Sequence, residues 1–156
     1  MLSGSVAMSV YVLPRATRDF DFIIHLSLSD VEKFITSFKD GYYCDEDAVV
    51  DAIKNKSIFN IIDFASGFKA DFVILKDEFF RKTEFDRRTT ADFFNVPISI
   101  VTAEDLLLSK LIWIQELQSS LQMEDIKNLK EKSELDWNYI NFWIGKLKLN
   151  TFNLIY

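Results

Sequence analysis

The stretch Leu13-Pro14-Arg15-Ala16-Thr17-Arg18-Asp19-Phe20-Asp21-Phe22-Ile23-Ile24-His25-Leu26 decides the fold. Pro14 ends whatever precedes it, because its ring fixes φ and removes a backbone donor. From Asp19 onward, aromatic and β-branched residues alternate with polar ones, which predicts a strand over 19–26. Alternate side chains on a strand point to opposite faces. Phe20, Phe22 and Ile24 therefore share a face fit for burial, and Asp19 and Asp21 share the other. Two carboxylates this close repel unless a cation or a proton lies between them. Hard oxygen ligands at this spacing suit Mg²⁺, which also takes phosphate oxygens of a substrate. His25 falls on the acidic face by parity. It has no second histidine with which to form a zinc pair, so it reads as structural.

Working outward, Arg15, Thr17 and Arg18 flank the acidic pair, and either arginine offers a fork for phosphate oxygens. Upstream, residues 4–12 are small and apolar and predict a short helix. Gly4-Ser5 opens it, placing backbone N–H groups where they would hold outer phosphates. Downstream, Ser29 with Glu32 predicts a capped helix to about Lys39, and a second helix is expected over 45–55. Two apolar bursts, 57–64 and 68–75, have strand length and enclose Ser66-Gly67, which predicts a hairpin. Asp71 lies early in the second burst, where a carboxylate is costly unless neutralised. If that strand lies beside the first, three carboxylates converge. Three carboxylates can hold two divalent ions about 3.5–4 Å apart, the geometry of in-line phosphoryl or nucleotidyl transfer.

Helix is expected again at 77–83. Short extended pieces should fill 86–100, where Pro97 argues against a central strand. Thr102 predicts a cap, with Asp105 returning the reciprocal bond, for a helix to about Leu117. In that helix Leu106, Leu107, Leu111, Ile114 and Leu117 form an apolar stripe. Lys110 falls near its middle, so it must snorkel out or reach an anion. Helices at 122–132 and 136–147 complete a helical last third, with a border near Val101. Trp113, Trp137 and Trp143 read as core, and Arg81, Lys82, Arg87 and Arg88 as a solvated basic patch.

Composition narrows the function classes. The 156 residues suit one compact domain, and 15 Phe against 4 Gly and 2 Pro make a core-rich chain with few forced turns. A formal charge of −6 argues against a protein that coats nucleic acid through phosphate contacts. Cys44 has no second cysteine with which to form an intrachain disulfide. No basic signal-like start and no apolar run near the ~20 residues of a membrane span are present. A cytoplasmic location without membrane contact is the expectation.

Taken together, Gly4-Ser5-Val6-Ala7 followed by Arg15-Ala16-Thr17-Arg18-Asp19-Phe20-Asp21 resembles the first motif of the DNA polymerase β-like nucleotidyltransferases. The order of the later motifs resembles the small branch that includes abortive-infection (AbiEii-type) toxins. Asp71 matches the third carboxylate. Thr102 to Leu106 with Ser109-Lys110-Leu111 is similar to the branch's helical motif. Ser120, Gln122 and Asp125-Ile126 resemble its next helix, and Leu135-Asp136 with Tyr139 and Trp143 its last.

The resemblance implies a mixed α/β fold, a small sheet flanked by helices. Residues 1–101 would form a nucleotidyltransferase-like core, and 102–156 a C-terminal helical region packed on it, or continuous with it. It implies that Asp19, Asp21 and Asp71 bind two Mg²⁺ and that Asp71 favours deprotonation of an acceptor hydroxyl. Gly4, Ser5, Arg15, Thr17 and Lys110 would bind the nucleoside triphosphate. The acceptor stays open among RNA, protein and a small molecule, and a dimer or an antitoxin-like protein partner is compatible. Relatives often carry His-Gly where this chain has Tyr11-Val12, and a basic residue where Met123-Glu124 precede Asp125. Those differences motivate the alternative, an inactive member acting as a binding or regulatory module. A metal-dependent phosphohydrolase is a third reading of the same carboxylates.

Overall fold

The computed structural model describes residues 1–17, 19–93 and 95–155. Its centre is a cross-strand column of phenylalanines. Strand β2 (Asp19–Ile24) lies parallel to β5 (Lys69–Ile74), which lies antiparallel to β4 (Ile58–Asp63). In that register Phe22 is opposite Phe72, and Phe72 is opposite Phe59. The three rings stack, with both centroid separations 5.3 Å. Aromatic pairs of this kind add about 0.5–1.5 kcal/mol each beyond their burial. Because a one-residue slip would turn every side chain over, this column fixes which residues face the other way.

The seven-stranded sheet has the order β3-β4-β5-β2-β1-β7-β6. Beyond β2 come β1 (Leu2–Ser3), antiparallel to it, then β7 (Val96–Ile100), parallel to β1, and β6 (Thr89–Phe93), antiparallel to β7. At the opposite edge β3 (Tyr42–Cys44) pairs with β4. The phenylalanine face is covered by α2 (Val31–Ser37) and α3 (Glu46–Asn55), through Val31, Val49, Ala52 and Ile53. A second core gathers α1 (Gly4–Met8), β7 and three later helices: α5 (Ala103–Glu116), α6 (Ser120–Lys130) and α7 (Trp137–Leu147). Leu107, Leu108, Leu111 and Ile114 of α5 are fully buried in it. Helix α4 (Phe79–Asp86) joins through Phe80. Among the described residues, no helix is long and apolar enough to cross a membrane.

The mixed α/β architecture is the expected one, and several elements differ in detail. The first helix is five residues long, ending at Met8 rather than Val12. The cap of α2 begins two residues early: Asp30, not Glu32, accepts from the Ser27 backbone N–H at 3.0 Å and from the Ser27 hydroxyl, around a 3₁₀ turn. Strand β3 was not anticipated. Within the stretch expected to hold short extended pieces, β6 and β7 pair antiparallel as a hairpin, and β7 lies inside the sheet despite Pro97. Its only partner on β1 is Leu2, opposite Ile100, so β7 has a single neighbour at Pro97 and the lost donor is tolerated.

Candidate active site

The face opposite the phenylalanine column is acidic. The parallel register puts Asp21 opposite Asp71 and Asp19 opposite Lys69. The three expected carboxylates thus stand on one face of two neighbouring strands. Burial raises the Asp21 pKa above the ordinary carboxylate range, and the negative charges of Asp71 and Asp19 add to the effect. Lys110 and Lys69 pull the other way. The Lys69 ammonium lies 2.9 Å from Asp71 Oδ2 and 4.0 Å from Asp19 Oδ1. Asp19 is exposed, and its backbone N–H donates to Thr17 Oγ1 at 3.4 Å. His25 is exposed at the end of the strand.

Gly4 closes over this face. It has φ +63°, and a Cβ there would lie 1.8 Å from Asp21 Oδ2. Glycine is required both for the left-handed backbone and for the close approach of the carboxylate. Ser5 follows, and its hydroxyl accepts from Arg15 Nη2.

Arg15 and Lys110 reach the site from outside the sheet, and both converge on one residue. Arg15 donates to both Asp125 oxygens, from Nε at 3.0 Å and Nη2 at 3.1 Å. Lys110 Nζ donates to Asp125 Oδ2 at 2.7 Å and to Gln122 Oε1 at 2.8 Å. The lysine in the apolar stripe therefore does not snorkel. It is 5% exposed, and its anion is a carboxylate of the next helix. Burial lowers its pKa, a shift the Asp125 contact opposes. For Asp125 burial works upward, but the two cations outweigh it and hold the carboxyl below its usual range. Asp125 was quoted in the sequence only as part of a motif. Its pairing was illegible there, because nothing in the spacing of residues 15, 110 and 125 says that three elements meet.

Between the acidic face and α5 lies a cavity of about 350 Å³. Ser3, Gly4, Ser5, Asp21, Lys110 and Gln122 line its polar end. Ile23, Ile58 and Val73 give it an apolar floor, and Trp113, expected in the core, is a half-exposed wall. Its far end holds a buried cluster that sequence reasoning missed. Arg81 donates to Glu84 Oε2 at 2.9 Å and to Ser109 Oγ at 2.6 Å, and Ser109 donates to Glu84 Oε1 at 2.6 Å. Burial raises the Glu84 pKa against the pull of Arg81.

Of the expected solvated basic patch, Lys82 and Arg88 are exposed, Arg88 donating to the Phe85 carbonyl, and Arg81, Lys82 and Arg87 are drawn into separate pairs. Arg81 serves Glu84, Lys82 serves Asp77 at 3.1 Å, and Arg87 serves Asp105 at 3.0 Å while its guanidinium lies 3.9 Å from the Tyr139 ring centroid. The Thr102 cap is present, accepting from the Asp105 N–H at 3.3 Å. The Asp105 carboxylate, however, accepts from the Thr102 hydroxyl, Arg87 and the Tyr139 hydroxyl. Arg18, expected as a second phosphate fork, lies outside the described residues.

The order and pairing of these elements match a fold seen in nucleotidyltransferases. Two solved structures share it. One is the lincosamide antibiotic adenylyltransferase LnuA with lincomycin bound, with a TM-score of 0.54 at 17% identity, over 83% of this chain and 84% of that one. The other is an antigenic nucleotidyltransferase-like protein from Paracoccidioides brasiliensis, with a TM-score of 0.51 at 14% identity, over 94% and 77%. No protein-family profile and no curated protein sequence matches the chain.

Proposed function

We propose that this chain is a Mg²⁺-dependent nucleotidyltransferase of the abortive-infection type, moving a nucleoside monophosphate from an NTP to a hydroxyl acceptor. The observation that carries this reading is the register that sets Asp21 beside Asp71, under Gly4-Ser5, at the mouth of a cavity. The donor set fits a hard divalent cation. It consists of carboxylate oxygens; burial raises the Asp21 pKa first, and the crowding by Asp71 and Asp19 that adds to it is what a cation would offset. Asp19 and Asp21 would hold the ion, with Asp71 standing beside it. A bound Mg²⁺ would supply Lewis-acid polarisation of phosphate oxygens.

The chain's own groups do the rest. The Gly4 and Ser5 backbone receives the β and γ phosphates. Arg15 and Lys110, held by Asp125, supply fixed positive charge without having to be ordered at the moment of reaction. The apolar floor at Ile23, Ile58 and Val73 seats the nucleoside. Asp71 takes the proton of the acceptor hydroxyl. The acceptor oxygen then bonds to the α phosphorus, the bond to the bridging oxygen breaks, and pyrophosphate leaves with that electron pair. The net charge of −6 favours a small-molecule or protein hydroxyl over RNA as acceptor.

Calorimetry with ATP, CTP, GTP and UTP in the presence of Mg²⁺ tests the reading. At least one should bind, and labelled nucleotide should then appear on an acceptor. Absence of binding by all four overturns it. One observation favours the alternative of an inactive binding module with an antitoxin-like partner: Arg15 and Lys110 are both already committed to Asp125. Under that reading nucleotide binds without transfer to any acceptor.

A further inference from the structure

Among the described residues of β2 and β5, the acidic face carries one base, Lys69. Asp19, Asp21, Lys69 and Asp71 form a two-by-two array across the β2–β5 pairing, with Lys69 opposite Asp19 and next but one to Asp71. Its ammonium is 2.9 Å from Asp71 Oδ2, within charge-assisted hydrogen-bond range, and reaches Asp19 at 4.0 Å. Asp71 is 15% exposed and Lys69 38%. The other ammonium near Asp21, that of Lys110, is fastened to Asp125 and Gln122. Among the described residues, no group of three or more His, Cys, Asp or Glu side chains is arranged to hold a metal ion. Three carboxylates and one ammonium leave two negative charges, which a single divalent ion cancels. A second divalent ion on the protein would have to displace Lys69 from Asp71 and leave the face positively charged.

We propose that Lys69 stands in for a second divalent ion, holding Asp71 so that the free protein takes one ion, on Asp19 and Asp21. This rests on the nucleotidyltransferase reading and departs from the two ions that the motif resemblance implies. Lys69 is a positioning residue here: it fixes Asp71 beside the site and sets the charge the site presents. Arginine would preserve that role. A neutral side chain would vacate Asp71 and open a second set of oxygen ligands.

The test is a Mn²⁺ titration of the nucleotide-free chain, following free Mn²⁺ by electron paramagnetic resonance. Wild type and Lys69→Arg should each bind one ion, Asp19→Asn none, and Lys69→Met two. Lys69→Met should also melt lower than wild type without metal and gain more from Mn²⁺. Lys69→Gln, which keeps a polar stem at this part-exposed position, serves as a second variant should the methionine form fold poorly. Two ions on the wild type, or one ion of unchanged affinity on both neutral variants, overturns the proposal and leaves the transferase reading standing. No ion on the wild type defeats the metal reading itself, and this proposal with it.

Discussion

Asp125 and Asp71 both lie within hydrogen-bond distance of an ammonium, yet only one of them is sealed. Asp125 is 1% exposed, gripped by Arg15 from the loop before β2 and by Lys110 from α5. Asp71 is reached by a part-exposed lysine on its own strand and stands beside two further carboxylates. The first cluster more than neutralises its carboxylate inside the protein, with two cations on one acid, and the second keeps a surplus of negative charge, of which Asp21 lines the cavity. On the proposed reading, the difference separates a group that holds structure from a face that would take a cation. A buried charge left without its partner costs several kcal/mol, whereas exposed pairs contribute little.

Mutations that exchange the two behaviours would break this comparison. The largest effect is expected on activity, from Asp19→Asn and Asp21→Asn. Losing charge stabilisation at a reacting centre costs about 10²–10³-fold, so nucleotide transfer should fall at least that far. Urea denaturation should meanwhile show stability within about 1 kcal/mol of wild type. A destabilisation equal to that of an Asp125 variant would mean that the acidic face is structural after all.

Asp125→Ala should behave in the opposite way. It strands Lys110 at 5% exposure and should cost about 3–5 kcal/mol in the same denaturation experiment. Gly4→Ala comes next. Its backbone would be held at φ +63°, which costs about 1–2 kcal/mol. The new Cβ would also drive the Asp21 carboxylate aside, so nucleotide affinity should fall more than stability does. A crystal structure with Asp21 undisplaced would refute that account.

The smallest effect separates two buried acids by the sign of their pH dependence. Asp125 has a folded-state pKa below its unfolded value, so its contribution is present at neutral pH and is lost as pH falls through the depressed value. Glu84 has a folded-state pKa above its unfolded value, so its contribution is present in acid and is lost as pH rises through the elevated value. Melting curves should show Glu84→Gln gaining on wild type as pH rises, and Asp125→Asn losing ground over the same range. Parallel curves for the two variants would remove the distinction.

The local signals were legible because they are periodic or chemical. Alternation marked β2, the Ser66-Gly67 turn marked the β4–β5 hairpin, and the Thr102 side chain marks the start of α5. Asp19, Asp21 and Asp71 stood out as acids in strands fit for burial, and Lys110 as a base in an apolar stripe. What was missed depends on partners distant in sequence. No local pattern says that Lys110 meets Asp125, or that Ser109 bridges to Glu84 on another helix. The β6–β7 hairpin did leave a trace. Asn95 adopts φ +64° and its N–H donates to Asp92 Oδ1 at 2.9 Å, a turn that an Asp-x-x-Asn spacing would have suggested. Pro97 outweighed that trace, since a proline's cost depends on which side of the strand has a neighbour, and sequence does not say.

The parallel pairing of β2 with β5 also bears on how the chain reaches its working state. Asp21 emerges early in synthesis, but its neighbour Asp71 arrives only after α2, α3 and the first arm of the β4–β5 hairpin have been made. Non-local pairings of this sort are slow to form, because ordering the intervening chain is costly before the contact rewards it. The acidic face is therefore assembled late. A nascent fragment that stops before Lys69 has neither the strand partner nor the counter-charge, so the paired acidic face cannot form in it.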